Sequence, residues 1–340
     1  MPQSKVVTGI LSYGMSGRVF HAPFIETHPQ FQLRAIVERH TKRAQADYPQ
    51  IISYDTVDQL FEDSEIELII VNTPNDTHVD YAVRALRAGK HVVLEKPFAP
   101  TAGEAAFLFR VARQQGKQIF PFHNRRFDSD FQSLKSVLDA GDVGRPIELH
   151  IRFDRFKSEI GPKGFKEKAQ PASGVLYDLG SHLIDQVLSL WGRPKAMTKI
   201  RGAYRKDSQV DDYACILLNY EGGLNVFITT SLLVANPQAS FVLHGTDGSF
   251  IKYRTDLQEA QLIGGMMPDH PEFGIEAEDR EGILTVPDEH GQMISRLVPA
   301  ERGNYMEVFQ SIFSAIRQGH PYFVSEEQIM WQLEILETVK

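Results

Sequence analysis

The stretch "KVVTGILSYGMSGRVFH", residues 5–21, decides how the rest of this chain is read. Lys5 to Leu11 is short, β-branched and almost continuously apolar, the pattern of a strand buried on both faces of a parallel sheet. A glycine-bearing turn follows, and then a segment of helical character. Strand, glycine turn and helix in that order can cradle the pyrophosphate of a dinucleotide, with the helix N-terminal N–H groups facing the anion. The usual spacing, G-x-G-x-x-G, has a glycine where Ser12 stands, leaving Ser12-Tyr13-Gly14-Met15-Ser16-Gly17. Gly14 would admit backbone close to the phosphates, and Gly17 would let the helix lie against the strand. A small residue with negative φ can stand in for the first glycine, so Ser12 alters the cradle without removing it. The competing reading is a plain strand-to-helix turn, and the surrounding sequence has to decide.

Working outward, short apolar runs recur at 5–11, 31–37, 67–73, 91–96 and 118–123, with helical segments around 17–28, 56–63, 77–88 and 101–115 between them. This alternation predicts a doubly wound α/β domain over residues 1–123. After it the rhythm changes. A helix at 127–140 closed by Gly141 leads to a strand at 147–156, a Lys/Gly/Pro-rich loop at 157–173, and the helix "GVLYDLGSHLIDQVLSLWG" at 174–192. Extended segments at 196–204, 211–220, 224–233, 239–245 and 249–254 follow, separated by turn signals such as "YEGGL" and "GTDGS". They predict an α+β domain with an open, mainly antiparallel sheet over residues 124–340. Residues 255–300 read as loops and short strands, and terminal helices are expected at 303–318 and 325–339.

Composition sets outer bounds. At 340 residues the chain exceeds what one core usually organises, which favours two domains. Apolar residues at 42% and charged residues at 24% are those of a soluble globular protein. A formal charge of −8 without a long basic run argues against nucleic acid or an anionic membrane as partner. Cys215 is the single cysteine and lies in the apolar run "YACILL", the setting of a small buried hydrophobe rather than a reactive thiol. No stretch approaches the ~20 apolar residues of a membrane span, and "MPQSKVV" lacks a signal-peptide core, so a cytoplasmic protein is expected.

The residues that carry chemistry lie mainly at strand ends. Glu38 closes the second strand about twenty residues past the glycines, where an acid accepts hydrogen bonds from the adenosine ribose of NAD. Arg39, His40, Lys42 and Arg43 follow and could instead hold the 2′-phosphate of NADP. Glu38 tilts the reading slightly to NAD, Arg39 keeps NADP open, and a solvated helix start is the ordinary alternative. "NTPNDTH" (72–78) offers the turn Thr73-Pro74-Asn75 and His78 to the cofactor, although Asn75 also suits simple turn or cap chemistry. In "LEKPF" (94–98), Lys96 beside a nicotinamide would be placed for proton transfer, with Glu95 holding the ammonium. A cis Lys96–Pro97 bond would suit the bend there. "FHNRRFDSDF" (122–131) brings His123, Asn124 and Arg126 to the same sheet edge. In "YDLGSHLID" (177–185), Asp178, His182 and Asp185 fall within one narrow helical arc, while Leu176, Leu179, Leu183, Val187 and Leu190 gather on another. A solvated polar face is the ordinary explanation of such an arc, yet none of these positions carries Lys, Glu or Gln. No convincing third ligand accompanies Asp178 and His182, so no metal site is expected.

Taken together, "SYGMSGRVFHAP", "TPNDTH", "AGKHVVLEKP", "FHNRRFDSDF" and "GVLYDLGSHLIDQ" resemble, in order and spacing, the Gfo/Idh/MocA family of NAD(P)-dependent sugar and polyol oxidoreductases. "HNRR" with "LYDLGSHLIDQ" is most similar to the subgroup containing NADP-dependent scyllo-inositol dehydrogenases. Members of that subgroup tend to carry a small residue at the Glu38 position followed by arginine, and only Arg39 fits here. The resemblance implies a Rossmann domain for NAD or NADP, and a second domain whose open sheet supports a homodimer or higher homo-oligomer. It also implies a catalytic group of Lys96, Asp178 and His182. Hydride would pass between nicotinamide C4 and a carbinol or ketone carbon of a cyclic polyol or sugar. His182 would take the hydroxyl proton, Lys96 would stabilise the same oxygen, and Asp178 would orient or charge the pair; which of Lys96 and His182 accepts first stays open. Substrate contacts are expected from Arg126, from Arg155 in "HIRFDRF", from Lys168 in the loop beyond, and from Tyr177. A non-catalytic sensor of NAD(P) on the same fold is the alternative, and the joint presence of Lys96, Asp178 and His182 counts against it.

Overall fold

A computed structural model describes residues 4–160 and 167–338; residues 161–166, within the loop expected at 157–173, lie outside the described residues. The chain divides into two compact units. The first comprises the described residues of Met1–Asn124 with Gln258–Phe273 and Tyr305–Met330, and the second those of Arg125–Leu257, Gly274–Asn304 and Trp331–Lys340. A single cut at 123/124 therefore does not describe the chain, because two later segments pack with the first unit.

In the first unit, six parallel strands form one sheet: β1 (Val6–Ile10), β2 (Phe31–Val37), β3 (Ile52–Tyr54), β4 (Leu68–Val71), β5 (His91–Leu94) and β6 (Ile119–Pro121). Their order is β3-β2-β1-β4-β5-β6, with every neighbouring pair parallel. This is the doubly wound arrangement whose order reverses beside β1, which places a ligand crevice outside the carboxyl ends of the strands there. All four residues of β4 are buried, as apolar side chains on both faces require. The edge strand β3 was not among the expected strands. It has three residues, too few to show a period.

The helix expected from residue 17 is divided. A π-helical turn, Gly17–His21, runs into the α-helix Ala22–Thr27. The returning helix Met306–Gln318 completes this unit's core. Tyr305, Phe309, Ile312 and Phe313 are each fully buried. Phe309 stacks on Phe24 at 5.3 Å and meets Phe31 edge-on at 6.1 Å. Burying each such ring contributes about 1.5–3 kcal/mol, so this segment is integral to the unit rather than an appendage.

The second unit is built on an eight-stranded sheet: β7 (Pro146–Asp154), β8 (Ala196–Gly202), β9 (Tyr213–Asn219), β10 (Asn225–Ser231), β11 (Phe241–Gly245), β12 (Ser249–Lys252), β13 (Gly282–Pro287) and β14 (Met293–Val298). Its order is β14-β13-β12-β11-β7-β10-β9-β8. Only β7 and β10 pair parallel; the other neighbours are antiparallel. Alternation assigns Leu149, Ile151, Phe153, Val226, Ile228, Ile216 and Leu218 to the buried face. On the other face, a row of directly paired residues crosses all eight strands: Thr198, Leu217, Phe227, His150, Val242, Ile251, Ile283 and Leu297. None of the described helices is long and apolar enough to cross a membrane.

Candidate active site

The glycine turn follows β1 directly. Ser12 Oγ accepts the Gly14 N–H at 3.2 Å, so the serine in the first glycine slot builds the turn rather than breaking it. A Cβ on Gly14 would find only Ser12 Oγ within 4 Å, at 3.4 Å, which leaves that side of the turn accessible to a ligand. A Cβ on Gly17 would lie 2.0 Å from the Ser12 carbonyl oxygen, so no larger residue fits there. Asn72, immediately after β4, donates from Nδ2 to Ser12 O at 2.8 Å and to Ser16 Oγ at 3.3 Å, bracing the turn from the neighbouring strand. Sequence reasoning named Thr73, Pro74 and Asn75 but missed Asn72. The signal was there, as the first polar side chain after a wholly apolar strand.

Tyr13, Gly14, Met15, Arg18, Arg43, Ala46 and Asp47 line a cleft of about 470 Å³. The Tyr13 hydroxyl donates to Asp47 Oδ2 at 2.5 Å, and burial together with that carboxylate raises the phenol well above its ordinary value. The open side of Gly14, the helix start at Gly17 and Arg18 fit a dinucleotide phosphate chain, and Arg43 lines the same cleft.

Glu38 requires a correction. Its Oε1 accepts the Arg43 N–H at 2.9 Å, and its Oε2 accepts the Ala44 N–H at 3.0 Å and the Ser53 hydroxyl at 3.3 Å. The side chain caps the short helix Ala44–Asp47 and is 8% exposed. A carboxylate held in this way has three of its acceptor positions taken by the protein, so an acid at this place in the sequence does not by itself favour NAD. Lys42 is likewise engaged, by the Glu38 and Ser53 carbonyls and by Asp55. Arg39, which reaches Tyr81 Oη at 3.3 Å, and Arg43 are both exposed.

At the end of β5, Glu95 and Lys96 form a half-buried turn closed by a cis Lys96–Pro97 bond. Glu95 Oε1 lies 2.9 Å from His21 Nε2, and Oε2 accepts the Lys96 backbone N–H at 3.1 Å. Burial alone would raise this carboxyl group. The His21 hydrogen bond and the nearby Lys96 charge outweigh it and hold the group below the usual carboxylate range. His78, expected to meet the cofactor, has both ring nitrogens at backbone carbonyls: Nδ1 at 2.9 Å from Pro97 O and Nε2 at 2.9 Å from Thr73 O. At 1% exposure it ties the turn after β4 to the turn after β5, which corrects its assignment as a cofactor contact. Burial lowers its pKa, against the two carbonyls that favour its protonated form. Thr73 pairs with Thr77 at 2.6 Å, and Asn75 opens a 3₁₀ turn, Asn75–Thr77. Met15 is exposed, and Asn124 is buried just after β6.

In the second unit, the helix bearing the acid–histidine stripe begins with a π turn, Leu176–Gly180, and continues as Ser181–Trp191. Asp211 Oδ2 accepts the Leu176 N–H at 2.8 Å and so caps the helix start. Gly174, at φ +91°, keeps clear of the same carboxylate; a Cβ there would lie 2.5 Å from Asp211 Oδ1. Ser181 through Leu188 are all buried, so the stripe does not face solvent. His182 is 6% exposed, Asp178 is half-buried, and Tyr177 is buried with its phenol pushed up to about 12 by desolvation.

The third member of the stripe has another role. Asp185 receives Arg126 Nε at 2.9 Å and Nη2 at 2.7 Å, a bidentate pair with both residues buried. Arg126 was expected to bind substrate; its guanidinium fork instead locks the 124–127 turn to this helix. Gln186 Nε2 adds a bond to Arg125 O at 2.7 Å. Arg155 is half-buried with its guanidinium 5.1 Å from the Phe153 ring centre, and Lys168 is exposed.

Comparison with known proteins agrees with this architecture. The family model described as "Oxidoreductase family, NAD-binding Rossmann fold" matches residues 6–123. That of the "GFO/IDH/MocA C-terminal domain" matches residues 131–251. The chain is 33% identical to the scyllo-inositol 2-dehydrogenase (NADP(+)) IolW of Bacillus subtilis over 98% of this chain and 92% of the relative. It is 34% identical to an uncharacterized oxidoreductase of Schizosaccharomyces pombe over 99% and 96%. A crystal structure of an oxidoreductase from Bacillus cereus superposes with a TM-score of 0.91 at 31% identity, covering 98% of this chain and 95% of that one. With a glycine cradle on a six-stranded parallel sheet and these matches over nearly its full length, the chain belongs to the Gfo/Idh/MocA family of oxidoreductases.

Proposed function

We propose that this protein is an NADP-dependent oxidoreductase that interconverts a carbinol and a ketone carbon on a cyclic polyol or sugar of the inositol type, acting in the cytoplasm. The observation that carries the cofactor choice is the commitment of Glu38 to backbone N–H groups, which leaves Arg39 and Arg43 as the exposed charges at the end of β2. The full-length likeness to the B. subtilis enzyme supports both cofactor and substrate class.

The Ser12–Gly17 turn and Arg18 would hold the pyrophosphate, Arg39 and Arg43 the 2′-phosphate, and Thr73, Pro74, Asn75 and Asn124 the remainder. When bound, the nicotinamide supplies the hydride acceptor or donor. Lys96, fixed by Glu95, provides positive charge for the oxygen as it develops negative charge. His182 takes the hydroxyl proton, or returns it in the reducing direction, and Asp178 on the preceding turn orients it. Tyr177, Arg155 and Lys168 would recognise ring hydroxyls, where an analogue lacking a hydroxyl leaves a site group unpaired.

Parallel fluorescence titrations with NADPH and NADH, followed by turnover on a panel of inositols and sugars, test the reading. Charge-assisted bonds to one phosphate favour NADPH by about 10- to 100-fold. Equal affinity, or binding without turnover on any polyol, would overturn it.

The same reading includes a homo-oligomer formed through the outer face of the second sheet. The row from Leu217 to Leu297 is mostly apolar, and Ile283 and Leu297 are 41% and 64% exposed. Sedimentation of an Ile283→Lys/Leu297→Asp variant is expected to show dissociation to monomer. A wild-type protein that already sediments as a monomer would exclude the assembly.

A further inference from the structure

We infer that His21 is a positioning residue for Lys96, acting through Glu95; this rests on the oxidoreductase reading above. His21 is fully buried, 4.5 Å from the Phe122 ring and edge-on to Phe309 at 6.4 Å. No role in cofactor contact is open to a ring so enclosed. Its Nδ1 has no partner among the described residues, while its Nε2 lies 2.9 Å from Glu95 Oε1. A carboxylate oxygen accepts, so Nε2 carries a hydrogen and the imidazole donates to Glu95. The second Glu95 oxygen accepts the N–H of Lys96 itself. One carboxylate is thus clamped from two sides, by a side chain from the helix of the phosphate cradle and by the backbone of the lysine.

The backbone around His21 accommodates this contact. Gly17–His21 is a π turn closed by the bond from Ala22 N–H to Gly17 O, and His21 itself leaves helical values at φ −124° and ψ −60°. Each α-helical residue advances the side chain by about 100°. An added residue in this turn lets the helix start at Gly17, where the cradle needs it, and still deliver His21 to Glu95. Short π segments are frequent at functional sites for such reasons. The result is a buried relay of fixed contacts: cradle, His21, Glu95, Lys96.

Two replacements separate positioning from packing. His21→Phe keeps an aromatic ring and removes the donor, whereas His21→Gln keeps a donor near the Nε2 position. Loss of the donor is expected to lower kcat about 100-fold, the effect of a misplacement on the order of 1 Å. KM for the polyol and affinity for NADPH should change by less than about threefold, and His21→Gln should recover most of the loss. The 15Nζ resonance of Lys96, identified by its disappearance in Lys96→Arg, should move in His21→Phe and return in His21→Gln. An unmoved resonance in a folded His21→Phe protein overturns the inference whatever the turnover. A moved resonance in a protein inactive on every polyol upholds it while removing the substrate reading. If His21→Phe fails to fold, Glu95→Gln takes its place, with the same resonance expected to move and an unmoved one counting against the relay.

Discussion

Replacing Lys96 with methionine is expected to lower kcat by about three orders of magnitude, close to 4 kcal/mol of transition-state stabilisation. Methionine preserves the length and apolar stem of the side chain, so packing beside the buried Pro97 and Phe98 is retained and only the ammonium is lost. Cationic groups aimed at an oxygen that gains negative charge typically contribute on this scale. Affinity for NADPH should stay within a few-fold, because the cradle residues Ser12 to Gly17 are braced by Asn72. Steady-state kinetics with a parallel NADPH titration decides the matter. A Lys96→Met enzyme retaining more than about a tenth of wild-type kcat would remove this lysine from the chemistry.

The largest stability effect should come from Arg126. Arg126→Met is expected to destabilise the second unit by about 3–5 kcal/mol, the usual result of removing one partner from a buried ion pair. Asp185 would remain a buried charge without its bidentate counterpart, on the helix that carries His182. The double variant Arg126→Met/Asp185→Leu should regain most of the loss, since an apolar pair leaves no charge to desolvate. Both tryptophans of the chain, Trp191 and Trp331, belong to the second unit. Their fluorescence through a urea transition therefore reports that unit directly. An unfolding free energy for the single variant within about 1 kcal/mol of wild type, at unchanged slope, would show the pair to be dispensable.

These two residues also mark where the sequence was and was not legible. The parallel sheet could be read because β1, β4 and β5 are buried on both faces over most of their length, leaving nearly unbroken apolar runs. Lys96 could be placed because it ends such a run. Arg126 and Asp185 stand 59 positions apart, and no local period links them. Each looked like a site residue because a polar side chain near a motif looks the same whether it meets a ligand or a partner. Glu38 was misread for a similar reason: its partners are backbone N–H groups, which carry no signal in residue identity. The two π turns were also hidden, since each occupies only five residues at the start of its helix, too short a stretch for an apolar period to show the change. His21 escaped notice because its importance lies in what it touches, the Glu95 carboxylate 74 positions further along the chain.

The return of Tyr305–Met330 to the first unit bears on how the protein is made. Phe24 and Phe31 leave the ribosome before Phe309 and Phe313, the rings that cover them, and every strand of the second sheet is synthesised in between. At about 5–20 residues per second the interval is on the order of tens of seconds. Throughout it the nucleotide-binding unit has its six strands but an aromatic face open to water, a nascent form suited to chaperone capture. A gene fragment stopped at Asn124 would keep that face exposed permanently, so the cofactor unit cannot be transplanted as its contiguous N-terminal segment alone.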